Sequence, residues 1–416
     1  MKARKISHYL AKLAKSPLNR ILVFTGARQT GKTTLAKNYF PNFRYLSIED
    51  PVARGQYVKL TAAQWKELYP LAILDEVQKE PRLIESIKSV YDQWQEPRYI
   101  LLGSSQLLLL EKVKESLAGR CVIIELFPLT LPELFTQNWG DTVKESLFQQ
   151  YLQQPKQSLN FLPDFLLEPQ MAQKKIAWNH YVQFGAYPAL TNPLLTDEER
   201  RVWLRDYVKT YLERDVRDLA MFRDLEPFVR LQKYLTLRTA QTLNISDIAT
   251  QLGLAAKTVQ RYIRYFELSY QILMLPAWSR NTGKRLAKMP KIHYLDNGVL
   301  QAVLQKQGGT TGAEFESLVT AEIYKQVRCL QMDISFYHLR TQDGYEVDLL
   351  LELPHGYIAF EIKMAEKIKL TELKRLKKLN DLLDKPLLHA FVLSNDDQTH
   401  ELAPNFTAVN AAYFLG

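Results

Sequence analysis

Short apolar runs separated by helical patterns set out the first third of the chain. Ile21-Leu22-Val23-Phe24 reads as a buried strand, and residues 34–40 carry a helical pattern that stops at Pro41. Further apolar runs at 45–48, 71–74, 99–102 and 121–126 bring the strand count to five, with helical sequence between them. That alternation predicts an α/β fold, a parallel sheet with crossover helices.

Beyond residue 135 the pattern changes. Residues 136–178 are Gln-rich and punctuated by Pro, with no strong period, and read as a connector or lid. From 200 to 237 the sequence is helical and highly charged, with Trp203, Tyr207, Tyr211 and Leu212 as an apolar stripe that reads as core. Glu213-Arg214-Asp215 offers an intersubunit or interdomain ion pair, or a solvated helix face. Two short helices, 246–252 and 257–264, flank Gly253 with the spacing of a helix-turn-helix. Ile248, Ala249, Leu252, Val259 and Ile263 supply the apolar contact, leaving Lys257, Gln260, Arg261 and Arg264 outward as DNA-contact candidates. Ala255 stands where a capping Ser or Thr is usual. Residues 284–291, rising into 292–295, resemble a basic wing; the same module can also serve only as a packing or lid element.

Composition narrows the setting. The chain has 416 residues, too many for one ordinary core. Cys121 and Cys329 are its only cysteines, with no C-x-x-C, which excludes a disulfide framework and a cysteine-based zinc site and suits the cytoplasm. Residues 1–20 are basic and lack a signal-peptide core, and apolar runs such as 107–110 are far below membrane-spanning length, so neither export nor membrane embedding is expected. A net charge of +9 and a pI near 9.2 favour an acidic polymer, DNA first, as partner.

The chemistry enters at Gly26, Ala27, Arg28, Gln29, Thr30, Gly31, Lys32 and Thr33, which fit the phosphate-loop pattern G-x-x-x-x-G-K-[ST] between a strand and a helix. Backbone N–H groups at a helix N-terminus capture the phosphates of ATP, and the glycines permit close approach. These residues and Thr34 are the expected nucleotide contacts; Lys32 reaches the β- and γ-phosphates and the Thr33 hydroxyl coordinates Mg2+. Asp75-Glu76 closes the 71–74 strand as a Walker B pattern, Asp75 holding Mg2+ and Glu76 polarising the attacking water. Two adjacent acids favour hydrolysis over small-molecule phosphorylation. Ser104-Ser105 ends the next strand, with Ser105 as a candidate sensor of the γ-phosphate. Arg120 reads either as an arginine finger, in its own or a neighbouring subunit of a homo-oligomer, or as a surface charge.

GARQTGKTT from Gly26, ILDEVQ from Ile73, LLGSSQ from Leu101, and LAGR with LFPLTLPEL run in register with FGAYPAL from Phe184, YLERDVRDL from Tyr211, KMPKIHYLDNG from Lys288 and GAEFESLV from Gly312. With these motifs the chain resembles bacterial and archaeal AAA-type ATPases whose core precedes a C-terminal domain of unknown function. The resemblance implies ATP binding and hydrolysis and covers nearly the whole chain.

Near the C-terminus a helix bearing Glu316, a strand ending Glu346-Val347-Asp348 and a strand over 358–363 bring a second constellation. Asp348, Glu361 and Lys363 form D-x(12)-E-x-K, which resembles the PD-(D/E)XK nuclease superfamily, with Val347 in place of the leading proline. There two acids hold Mg2+ and the lysine stabilises developing charge, with Glu316 joining from the helix; a solvated strand face gives the same pattern. The expected domains are an ATPase core over 1–135, a connector over 136–199, a helical and winged-helix region over 200–300, and a restriction-endonuclease-like domain over 301–416. The leading function is ATP hydrolysis coupled to work on DNA. Its rivals are a nucleotide-controlled switch that binds a protein partner, and a nuclease with ATP as an allosteric ligand.

Overall fold

A computed structural model describes residues 1–103, 113, 115–155, 169–211, 224–281, 283, 285, 288–306, 308–369, 376–403 and 405–416. Ser104 and Ser105, Leu212, the 213–215 ion-pair candidates and most of the expected wing at 284–287 lie outside the described residues.

Strands β1 (Ile21–Thr25), β2 (Arg44–Ser47), β3 (Leu71–Asp75), β4 (Arg98–Leu102) and β5 (Cys121–Glu125) form one sheet in the order β2-β3-β4-β1-β5. Every pairing is parallel, as the alternation of strands and helices predicts. The strands read as unbroken apolar runs because both faces are covered. Ile21 and Val23 enter one core with Trp65, Ile84 and Ile87, whereas Leu22 and Phe24 enter another with Leu10, Leu13 and Leu35. Leu10 and Leu13 belong to a helix, Ser7–Lys15, within the stretch that reads in sequence only as basic.

Helices Glu226–Leu237, Ile245–Leu252 and Ala256–Leu268 lead into an antiparallel pair, β6 (Ile272–Leu275) with β7 (Lys291–Tyr294). Gly253 ends the second helix in left-handed backbone (φ 65°), the conformation a tight turn there needs. Ala255 is the N-cap of the third helix with no side-chain capping bond. The charged stretch from 200 is divided between the helices Asp197–Tyr211 and Glu226–Leu237, and Tyr207 is buried in it.

The last unit is an 18-residue helix, Gly312–Cys329, against a mixed sheet of β8 (Ser335–Arg340), β9 (Glu346–Leu353), β10 (Gly356–Ile362), β11 (Leu387–Ser394), β12 (His400–Ala403) and β13 (Phe406–Asn410). Its order is β12-β13-β11-β10-β9-β8. Asp348 therefore stands near the start of a strand, not at its end; the apolar run that pairs with β10 follows it. The 136–178 stretch also departs from expectation. Its helices Leu147–Gln153 and Pro169–Phe184 place Phe148, Tyr151, Leu152, Trp178 and Tyr181 in the same core as Phe315, Phe360 and Phe391, so these two helices are built into the last unit. Among the described residues no helix is long and apolar enough to cross a membrane.

Burial holds four histidines neutral, His180, His293, His338 and His389. His389, on Thr407 Oγ1 at 2.9 Å and stacked on Phe391, and His338 are each pushed down to about 4 by loss of solvent. A depressed histidine contributes stability that is present above its unfolded value near 6.5 and lost as pH falls through about 4. Urea midpoints are therefore expected to fall between these pH values, by about 3 kcal/mol per histidine at full protonation, and His389→Phe is expected to flatten the profile. A wild-type profile flat across that window would contradict the assignment.

Candidate nucleotide site and carboxylate cluster

The loop after β1 has the geometry its glycines suggest. Gly26 has φ 142°, and a Cβ there would lie 2.1 Å from the Leu126 carbonyl oxygen, so only glycine fits beside the exit of β5. Gly31 is the left-handed N-cap of the helix Lys32–Tyr39, whose first N–H groups form an anion-binding end. Lys32 is buried, and its ammonium donates to the carbonyls of Gly26 (2.9 Å) and Ala27 (2.8 Å). Thr30 Oγ1 donates to Ala27 O at 2.9 Å, and Gln29 takes a left-handed φ of 63°. Arg28 is half-buried, while Thr34 is exposed on the helix.

Asp75 ends β3 facing that helix. Thr33 Oγ1 and the Tyr45 hydroxyl each donate to Asp75 Oδ2 at 2.8 Å. Burial, and then the neighbouring Asp75, hold the Tyr45 phenol well above its ordinary range, so it stays a donor. The oxygens of Thr33 and Asp75 are hard donors already in contact, which fits Mg2+ shared with a triphosphate. Glu76 follows in left-handed backbone (φ 59°, ψ 38°), a strained conformation for a non-glycine residue, and its carboxylate accepts from Gln78 Nε2. Because β4 lies between β1 and β3, its exit at Gly103 opens between the phosphate loop and the two acids.

Arg120 does not join this site in its own chain. It precedes β5, which runs parallel to β1 for five residues, so it lies at the opposite edge of the sheet, roughly 16 Å from the loop end. There it pairs with Asp92 at 2.7 Å.

Behind the loop are contacts with no signal in the local sequence. Arg4, 4% exposed, donates to Thr30 O (2.9 Å) and Phe127 O (2.7 Å) and pairs with Glu133 at 3.3 Å. The Tyr270 hydroxyl donates to Glu125 and meets Thr25 Oγ1, both at 3.0 Å, with its ring edge-on to Phe127. These residues brace the base of the loop from the N-terminal arm and from the turn before β6.

The C-terminal constellation assembles with an addition. Phe360 of β10 pairs with Leu349 of β9, which sets Glu361 beside Asp348 in register, and Ile362 N donates to Asp348 Oδ2 at 2.8 Å. Glu361 is 9% exposed and Lys363 Nζ lies 2.7 Å from it, so this is no solvated strand face. Glu316, however, is engaged by Lys291, read in sequence as part of an exposed basic wing. Lys291 is 2% exposed in β7; its ammonium lies 2.6 Å from Glu316, 2.9 Å from Glu346 and 3.5 Å from Asp348. Among the described residues no group of three or more His, Cys, Asp or Glu is arranged to hold a metal ion. On the Ala256–Leu268 helix, by contrast, Lys257, Gln260, Arg261 and Arg264 are all exposed, as their spacing predicts.

Known proteins align with these units. Residues 18–135 match a family described as AAA domain, residues 175–309 one described as Domain of unknown function (DUF8612), and residues 311–414 one described as Domain of unknown function (DUF4143). An uncharacterized protein of Mycobacterium tuberculosis is 25% identical over 406 residues, covering 95% of this chain and 81% of its own length. An uncharacterized protein of Methanocaldococcus jannaschii is 23% identical over 354 residues, covering 80% and 72%. The Walker-type ATPase of Pyrococcus abyssi, a solved structure, superimposes with a TM-score of 0.45 at 14% identity, over 72% of this chain and 95% of that one. Residues 18–135, which hold the phosphate loop and the five-stranded parallel sheet, are thus similar to the AAA domain family, and residues 311–414, which hold the long helix and the mixed sheet, to the DUF4143 family.

Proposed function

We propose that the protein hydrolyses ATP with Mg2+ at the phosphate loop and couples that reaction to bound DNA. The observation that carries hydrolysis is Thr33 meeting Asp75 at 2.8 Å with Glu76 turned aside next to it by left-handed backbone. The N–H groups at the start of the Lys32–Tyr39 helix bind phosphate oxygens, and Lys32 exchanges the carbonyls of Gly26 and Ala27 for the β- and γ-phosphates. Tyr45 and Thr33 fix the orientation of Asp75. Glu76 accepts the proton of the water that attacks the γ-phosphorus, and ADP departs. Thr33 and Asp75 would hold Mg2+, which would supply neutralisation of the phosphate charge. A finger role for Arg120 requires a neighbouring subunit, and therefore a homo-oligomer.

DNA is supported by the exposed Lys257, Gln260, Arg261 and Arg264 on one helix of a helix-turn-helix with a following hairpin, the arrangement of a winged helix, and by the net charge of +9. The rival, a nucleotide-controlled switch for a protein partner, is favoured by one feature. The segment after β5 ties the loop's sheet directly to the DUF4143 helix, since Leu131 N donates to Glu322 at 2.7 Å and Lys325 donates to Leu129 O at 3.0 Å.

Lys32→Ala is expected to weaken ATP binding at least tenfold, and Glu76→Gln to retain binding while turnover falls roughly 100-fold or more; wild-type turnover in Glu76→Gln would remove its role. For DNA, a Lys257, Arg261 and Arg264 triple alanine variant is expected to weaken binding and to flatten the log affinity against log salt slope by about 2–3. An unchanged slope, with no stimulation of ATP turnover by any DNA form, would favour the switch.

A further inference from the structure

The DUF4143 carboxylates already have a cation. Lys291 reaches them from β7, outside the C-terminal sheet, and is the shared partner of Glu316 on the Gly312–Cys329 helix and of Glu346 and Asp348 on β9. A buried ammonium needs partners that compensate its lost hydration, carboxylates above all. Here they do so enough to hold Lys291 above its ordinary value, despite burial.

A nuclease-like reading of Asp348, Glu361 and Lys363 calls for Mg2+, which requires near-octahedral oxygen ligands at about 2.1 Å. The residues do not fit that ion. One oxygen of Asp348 accepts the Ile362 N–H, the other faces the Lys291 ammonium, Glu316 is drawn to 2.6 Å from the same ammonium, and Glu361 is drawn to Lys363. A divalent ion among these oxygens would sit about 3 Å from a fixed positive charge, a strongly repulsive arrangement in a low-dielectric site.

We infer that the Lys291 ammonium is the resident cation of the Glu316, Glu346 and Asp348 pocket, a built-in plug that stands where a nuclease would carry its metal and that fastens β7 to the C-terminal domain. In this arrangement the pocket takes no Mg2+ and the domain cuts no DNA. The function left to the cluster is attachment. The inference is independent of the hydrolysis reading, because it concerns none of the loop residues.

The test is Mn2+ binding to the nucleotide-free full chain, followed by electron paramagnetic resonance, with Thr33→Ala in every arm to remove metal held at the phosphate loop. The lysine-containing chain is expected to show no uptake that Asp348→Asn abolishes. Adding Lys291→Met is expected to create uptake at least tenfold tighter, lost again when Asp348→Asn is added. Asp348-dependent uptake with Lys291 present would overturn the inference, as would a folded Lys291→Met chain that gains none. If Lys291→Met fails to fold, Glu316→Gln and Asp348→Asn are added to remove the stranded charges. Recovery of the fold supports the counterion role, and continued failure overturns it.

Discussion

The chain leaving β5 has to cross the interior as an extended segment, and each backbone group it carries there must find a partner. Leu126 N donates to Thr25 O, and the Leu126 carbonyl comes so close to Gly26 that no side chain fits between them. Phe127 O takes Arg4, Leu129 N donates to Ala186 O, Leu129 O takes Lys325, and Leu131 N donates to Glu322. Phosphate loop, N-terminal arm, middle helices and DUF4143 helix are all joined through this one stretch. Stranding any buried member costs about 1–3 kcal/mol, and more for the charged ones.

The two acidic sites differ in what satisfies them. Asp75 is met by the hydroxyls of Thr33 and Tyr45, neutral donors that a metal ion would displace at little electrostatic expense. Asp348 is met by a backbone N–H and, with Glu316 and Glu346, by an ammonium fixed in a strand. Removing that ammonium would strand buried carboxylates.

Legibility in the sequence followed the range of the interaction. The phosphate loop, the five parallel strands and the exposed face of the 256–268 helix rest on spacing within a few residues, and the structure matches them. Arg4, Tyr45, Tyr270 and Lys291 act on partners tens to hundreds of residues away, where no local pattern signals them. Arg120 is different, because the predicted parallel sheet already implied that a residue preceding β5 lies at the edge away from a loop following β1. The 136–178 stretch concealed its first helix because Phe148, Tyr151 and Leu152 mark barely two turns among glutamines. Lys291 looked like a wing residue since a basic run carries no record of the carboxylates that neutralise one of its members.

The central claim is that the loop, Asp75 and Glu76 form a working hydrolytic site. It is tested most directly by phosphate release from ATP over many turnovers, with Mg2+ present and then chelated. The account predicts sustained release that stops on chelation and returns when Mg2+ is restored. Release that persists without a divalent ion, or none above background with ATP and Mg2+ saturating, would contradict it.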